Sequence, residues 1–229
     1  MDKTGIGDRM KGNYENRYRF SIPRRTNTII RVDGKCFHQL TRKADKPFDD
    51  YFMECMARAA VELCKQVQGC KFGYVQSDEI SLWLTDYDDI KTDAWFDGNL
   101  QKMCSISAAT ATATFSELWG QKALFDSRVF IIPDIEEVIN YFIWRQQDAT
   151  RNSINMVAQS LYPHKQLQGK NTDEAQEMIF QKGQNWNDYP IPKKRGYAII
   201  KDTEWKAVEP PIFTQERYFI TNRYKNERT

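Results

Sequence analysis

At 229 residues with 41% apolar content, the chain is long enough for one large domain, or for a core domain with an appendage, around a real hydrophobic core. A formal net charge of only +2 announces no nucleic-acid partner by itself, so any such partner has to meet local basic clusters. Five cysteines without a Cys-x-x-Cys pair, and only His38 and His164 beside them, argue against structural zinc; no apolar run is long enough to span a membrane. The polar start Met1-Asp2-Lys3-Thr4 is unlike a signal peptide, and the chain reads as reduced, soluble and cytoplasmic.

Residues 1–26 are polar and carry Lys3, Arg9, Lys11, Arg17, Arg19, Arg24 and Arg25. Alternation from Thr28 to Asp33 predicts a first strand. Pro47 and Asp49 open a helix to about Val67, with Phe52, Met56, Ala59, Ala60 and Leu63 on its apolar stripe. Phe72–Gln76 and Ile80–Thr85 read as two strands joined by the turn Ser77-Asp78-Glu79. A long helix is expected from about Asp93 to Trp119, then a strand over Arg128–Ile132 that Pro133 halts. Asp134 begins a further helix to about Tyr162. Residues 163–229 form an appendage beyond a core of 1–162. It holds a helix over Thr172–Gln181, with Thr172 as its cap, and short strands at Gly196–Lys201 and Tyr218–Thr221. Lys193, Lys194 and Arg195 make a second basic cluster, and Lys225 and Arg228 end the chain.

The resulting order, β-α-β-β-α-β, is the α+β, ferredoxin-like arrangement of a polymerase-type palm. Right-handed crossovers put both helices on one face of the sheet and leave the other face for a nucleotide. In this topology the first and third strands are adjacent and antiparallel, so the end of one lies beside the start of the other. Asp33 and Asp78 are thereby brought together, and paired carboxylates of this kind suit divalent cations and phosphoryl or nucleotidyl transfer. The loop Lys35-Cys36-Phe37-His38 offers backbone donors to a triphosphate, while Asp33 and the Gly34 carbonyl hold magnesium.

Taken singly, most of these residues have plainer explanations. Asp-Gly is a common turn dipeptide, and Ser77-Asp78-Glu79 suits a hairpin. Lys46 and Lys102 suit solvated positions, and Arg145 and Asp148 are spaced as a helical surface pair contributing only tenths of a kcal/mol. Asn152 is unfavourable in mid-helix, which points to a tertiary partner. The joint pattern carries the reading.

The segment Arg31-Val32-Asp33-Gly34-Lys35-Cys36-Phe37-His38 resembles the R-x-D-G-x-x-F-H element of the tRNA-His guanylyltransferase superfamily. Ser77-Asp78-Glu79, Phe125-Asp126-Ser127-Arg128 and Trp144-Arg145-Gln146-Gln147-Asp148 resemble its later motifs in the same order, and the likeness covers about residues 20–160. The resemblance implies a palm that works in the 3′-to-5′ direction, with two magnesium ions held by Asp33, Asp78 and the Gly34 carbonyl. It implies a nucleotide site of Asp33 to His38 with Ser77, and catalytic parts for Asp33, Asp78, Glu79, Lys46 and Lys102. ATP and GTP are the implied substrates beside tRNA, and a homotetramer the implied assembly. Arg145, Asp148, Asn152, Lys193, Lys194 and Arg195 are the expected RNA contacts.

The sequence departs from the eukaryotic enzymes where they carry His-Ile-Asn-Asn-Leu-Tyr-Asn. It reads Thr150-Arg151-Asn152-Ser153-Ile154-Asn155-Met156, keeping only Asn152 in register, and Asn99 replaces an arginine. In this it is similar to the Thg1-like proteins of bacteria and phages, which implies templated repair of truncated tRNA 5′ ends. The alternatives are addition of a single G to histidine tRNA, a nucleotide cyclase, and an inactive RNA-binding palm.

Overall fold

In the computed structural model, which describes residues 5–222, a helix α1 (Ile6–Asn13) precedes strand β1 (Asn27–Gly34). There follow a single turn α2 (Phe37–Leu40), helix α3 (Asp50–Gln66), strands β2 (Cys70–Gln76) and β3 (Glu79–Leu84), helix α4 (Leu100–Trp119) and strand β4 (Phe125–Ile132). The β-α-β-β-α-β frame is therefore present, with α2 added. Asp49 starts α3 as its cap, its carboxylate accepting the Phe52 N–H at 2.8 Å. Lys3, Lys225 and Arg228 lie outside the described residues.

The later elements are α5 (Ile135–Leu161), α6 (His164–Leu167), α7 (Thr172–Gln181), α8 (Ile191–Arg195), β5 (Tyr197–Lys201) and β6 (Trp205–Val208). One antiparallel sheet runs β4-β1-β3-β2-β5-β6. The two central strands of the palm are adjacent as the topology predicts. The appendage is not set beside this sheet but extends it, because β5 pairs with β2.

Both faces are covered. On one, Ile30, Val32, Ile80 and Leu82 pack against Phe52, Leu63, Met103 and Phe115 of α3 and α4. On the other, Ile29, Tyr74 and Trp83 pack against Val138, Ile139 and Phe142 of α5, and against Phe213. The expectation of a face left open for a nucleotide is thus corrected: α5 carries its own apolar stripe and buries it there. Each fully buried side chain of this size contributes about 1.5–3 kcal/mol, enough to decide where α5 lies.

Four local expectations also change. Residues Trp95–Gly98 form a 3-10 turn with Phe96 and Asp97 at φ 52° and 53°, so α4 starts only at Leu100, capped by Asn99. Strand β4 begins at Phe125, because its first residues pair with Asp33 and Gly34. The cap of α7 is Asn171, which exchanges hydrogen bonds with Glu174 in a capping box, rather than Thr172. Tyr218–Thr221 is no strand: Arg217–Ile220 is a 3-10 turn.

Candidate active site

Strand register builds the acid pair. Asp33 lies opposite Glu79 on β3 and Asp126 on β4, and Asp78 stands one residue before Glu79 in the β2–β3 turn. The Gly34 N–H donates to the Asp78 carbonyl at 3.0 Å, which joins the two chain segments directly. Ser77 takes the left-handed φ of 50° that the tight turn needs, and its hydroxyl donates to Asp78 Oδ1 at 3.2 Å. Burial pushes the Asp78 carboxyl above its ordinary range, and the nearby charge of Asp33 pushes it further. Arg128 offsets Asp33 only weakly, at 3.9 Å, and stands 3.5 Å from Asp126.

The loop after Asp33 is shaped by Phe37. Its ring is buried against Phe52, Phe115 and Phe125. A Cβ on Gly34 would come within 2.4 Å of that ring, so glycine is required by space. Cys36 adopts φ 59° to start α2. The Gly34 amide serves Asp78, and the Lys35 amide donates to the Leu124 carbonyl at 2.8 Å, so neither is a donor for phosphate. Of the expected donors of the loop Lys35-Cys36-Phe37-His38, the Lys35 amide is thus already used.

Beside this loop lies a hollow of about 390 Å³ lined by Gly34, Cys36, Phe37, His38, Lys46, Ser77 and Asp78 among others. Lys46 donates to the Thr41 carbonyl at 3.4 Å from the hollow's rim. A smaller hollow of about 80 Å³ adjoins it through Asp49, Phe52, Ser77 and Met156, and is lined also by Phe48, Met53, Gln76 and Asn152. Composition alone gave no signal for this second hollow; it arises where α3, α5 and α8 meet.

The remaining candidates are dispersed. Lys102 is in the first turn of α4, over the Phe96 ring at 5.8 Å. That helix end is tied to Phe20 and Ile22 near Thr28, at the end of β1 opposite Asp33. The structure therefore does not bring Lys102 to the acid pair within one chain. Arg145 is buried and pairs with both Glu79 and Asp148, and Asp148 also holds Arg151. Of the basic triplet, Lys193 pairs with Asp50 at 2.8 Å. Lys194 is buried, donates to the Asn187 carbonyl at 2.6 Å and lies over Trp186; burial lowers its pKa. The Arg195 carbonyl accepts the Tyr74 hydroxyl. Arg145 and Lys194 thus face inward, as corrections to the expected RNA contacts. Sequence reasoning also missed that Arg31 lies 3.7 Å from Glu79 as a second counter-charge; its place inside an apolar strand was the available signal.

Two magnesium ions, as the resemblance implies, call for hard oxygen donors. Asp33, Asp78 and the Gly34 carbonyl are donors of that kind, and the Asp78 carboxyl is raised by burial first and by Asp33 after it. The fit is therefore chemically sound.

Residues 7–133 match the family model described as tRNAHis guanylyltransferase, Thg1. The chain is similar to a bacterial tRNA(His) guanylyltransferase (Thg1)-like protein solved in complex with ATP: 47% identity, TM-score 0.90, covering 94% of this chain and 97% of that one. A second such bacterial structure, in complex with GTP, is 43% identical with TM-score 0.85, covering 93% and 96%. A probable tRNA(His) guanylyltransferase of Dictyostelium discoideum is 30% identical over 76% of this chain and 74% of its own length. With a family model spanning over half of the chain and structural likeness along nearly all of it, the chain belongs to the tRNAHis guanylyltransferase family and is an enzyme of the nucleotidyltransferase kind.

Proposed function

We propose that this enzyme adds nucleotides in the 3′-to-5′ direction to the 5′ end of truncated tRNA, choosing each by pairing with the opposite strand. The observation that carries the reading is the juxtaposition of Asp33 and Asp78, bonded through Gly34, with Gly34 and Asp78 lining a hollow of about 390 Å³. Asp33, Asp78 and the Gly34 carbonyl hold the metal ions. Magnesium there supplies neutralisation of phosphoryl charge and activation of the attacking hydroxyl. Cys36, Phe37, His38 and Ser77 bound the triphosphate, Lys46 adds positive charge at the rim, and the apolar hollow of Phe48, Phe52 and Met156 offers the base a place away from water.

In this reading a 5′-monophosphate first attacks the α phosphorus of ATP or GTP and releases diphosphate, or an existing 5′-triphosphate is used; the 3′-hydroxyl of the incoming nucleotide then loses its proton and attacks the 5′ phosphorus, expelling AMP or GMP in the first case and diphosphate in the second. No covalent enzyme intermediate is required. The complexes of the two bacterial relatives with ATP and GTP support these substrates. Thr150, standing where eukaryotic enzymes have histidine, favours repair over addition restricted to histidine tRNA. Asn152, Lys193 and Arg195 remain the RNA contacts of the proposal. A tetramer is supported by α1, which buries nothing and exposes Ile6, Met10 and Tyr14; sedimentation equilibrium tests it. Among the described residues no helix is long and apolar enough to cross a membrane.

The decisive experiment offers each labelled nucleotide to 5′-truncated tRNA with magnesium and ATP, using wild type and Asp78→Ala. Addition of only the complementary nucleotide, lost in the variant, supports repair. Addition of G alone to full-length histidine tRNA overturns repair in favour of the single-G reaction. No addition to either RNA overturns both.

A further inference from the structure

Glu79 follows Asp78 and lies opposite Asp33 in register, which groups it by sequence with the metal-binding acids. Its carboxylate is engaged elsewhere. Oε1 lies 3.0 Å from Arg145 Nε, and Oε2 lies 3.7 Å from Arg31 Nε. Ser81 Oγ approaches Oε1 at 3.5 Å and shares a 2.8 Å hydrogen bond with the Tyr141 hydroxyl. The side chains of Glu79 and Arg145 are only 10% and 5% exposed, so water screens this pair little. Neither arginine Nε makes a directed hydrogen bond, and the attraction is that of one carboxylate shared as counter-charge by two guanidinium groups.

The chain of charges continues outward. Arg145 pairs with Asp148, and Asp148 with Arg151, which is exposed. Arg145 also lies over the Trp144 ring, its Cζ 4.0 Å from the ring centre. Were Glu79 to turn toward a metal ion, it would leave Arg145 buried with half of its compensation, and breaking a buried pair is strongly unfavourable.

We infer that Glu79 is a positioning residue and not a metal ligand: it holds Arg31 and Arg145, and through Arg145 and Asp148 it orders the α5 turn that carries Arg151 and Asn152 for the RNA 5′ end. The part of this inference that concerns RNA rests on the proposed nucleotidyl transfer, and the part that concerns metal rests on the proposed cation site of Asp33 and Asp78.

The test titrates Mn²⁺ into the full chain as wild type, Glu79→Gln and Asp78→Asn, and measures nucleotide incorporation into 5′-truncated tRNA. Glu79→Gln is expected to keep Mn²⁺ affinity within about twofold, while Asp78→Asn loses about tenfold or more. Glu79→Gln is further expected to raise KM for the RNA about tenfold and leave KM for the nucleotide within about twofold. A loss of Mn²⁺ affinity in Glu79→Gln equal to that of Asp78→Asn overturns the inference, and so does an unchanged KM for the RNA. If wild type adds nothing to any RNA, the functional reading fails; direct binding of truncated tRNA then replaces KM, with weakened binding supporting the inference and unchanged binding overturning it. Should Glu79→Gln not fold, the double variant Glu79→Gln/Arg145→Gln removes both charges and undergoes the same measurements.

Discussion

The backbone N–H of Gly34 donates to the carbonyl of Asp78 at 3.0 Å, so the end of β1 is bonded directly to the β2–β3 turn. Asp33 and Asp78, far apart in the chain, are thereby set side by side. The same glycine has no room for a side chain, since Phe37 occupies the space a Cβ would take.

Gly34→Ala is accordingly expected to destabilise the fold by about 1–3 kcal/mol through overpacking. The Phe37 ring is wedged among Phe52, Phe115 and Phe125 and cannot simply swing aside. Thermal melting should show a loss of about 2–4 °C for each kcal/mol in a chain of this size. An unchanged melting temperature would refute the steric argument.

Asp78→Asn should stabilise the metal-free protein at neutral pH while removing activity. The folded-state pKa of Asp78 is raised by burial and then by Asp33, so the folded state binds the proton more tightly than the unfolded one. Stability from this group is therefore greatest at low pH and falls as pH rises from the unfolded pKa through the raised folded one. Asparagine escapes that cost, and a higher melting temperature than that of wild type is expected at pH 7. Calorimetry without metal, at neutral and acid pH, checks both the gain and its disappearance on acidification.

Metal reverses the balance. A divalent ion bound at 100 times its Kd stabilises wild type by about 2.7 kcal/mol, whereas Asp78→Asn should gain almost nothing. Because the proton competes for Asp78, metal affinity should weaken at a higher pH than an ordinary aspartate would dictate. Mn²⁺ titrations across pH measure this, and a pH-independent affinity would contradict it.

Lys194→Ala is expected to lower stability by about 1–3 kcal/mol by leaving the Asn187 carbonyl without its donor. RNA affinity should stay nearly constant, since Lys194 is buried against Trp186. Parallel melting and tRNA-binding curves separate the two effects; a large drop in RNA affinity at unchanged stability would place Lys194 at the RNA surface after all.

The legible parts of the sequence were those governed by short-range pattern. Alternation around Ile30 and Val32 marked β1, and Asp49 marked the start of α3; topology then brought Asp33 beside Asp78. Four ordered motifs added the family. What escaped was set by contacts between distant segments. The apolar stripe of α5 could be seen, but not that it covers the sheet face opposite α3 and α4. Arg145 read as a surface charge because its partner Glu79 is on another element. Lys194 read as basic surface because its burial depends on Trp186 and Asn187, and the displacement of Lys102 from Asp33 follows from where α4 begins.

The pairing of Gly73 with Ile199 has a consequence for biosynthesis. Until the segment holding β5 leaves the ribosome, β2 is an uncovered edge, and at roughly 5–20 residues per second that interval is on the order of ten seconds. The strand that leads into the Ser77–Asp78 turn thus spends its first moments open to pairing with other nascent chains. A ribosome stalled before Tyr197 should present a sticky intermediate that chaperones bind, and release past Val208 should end it.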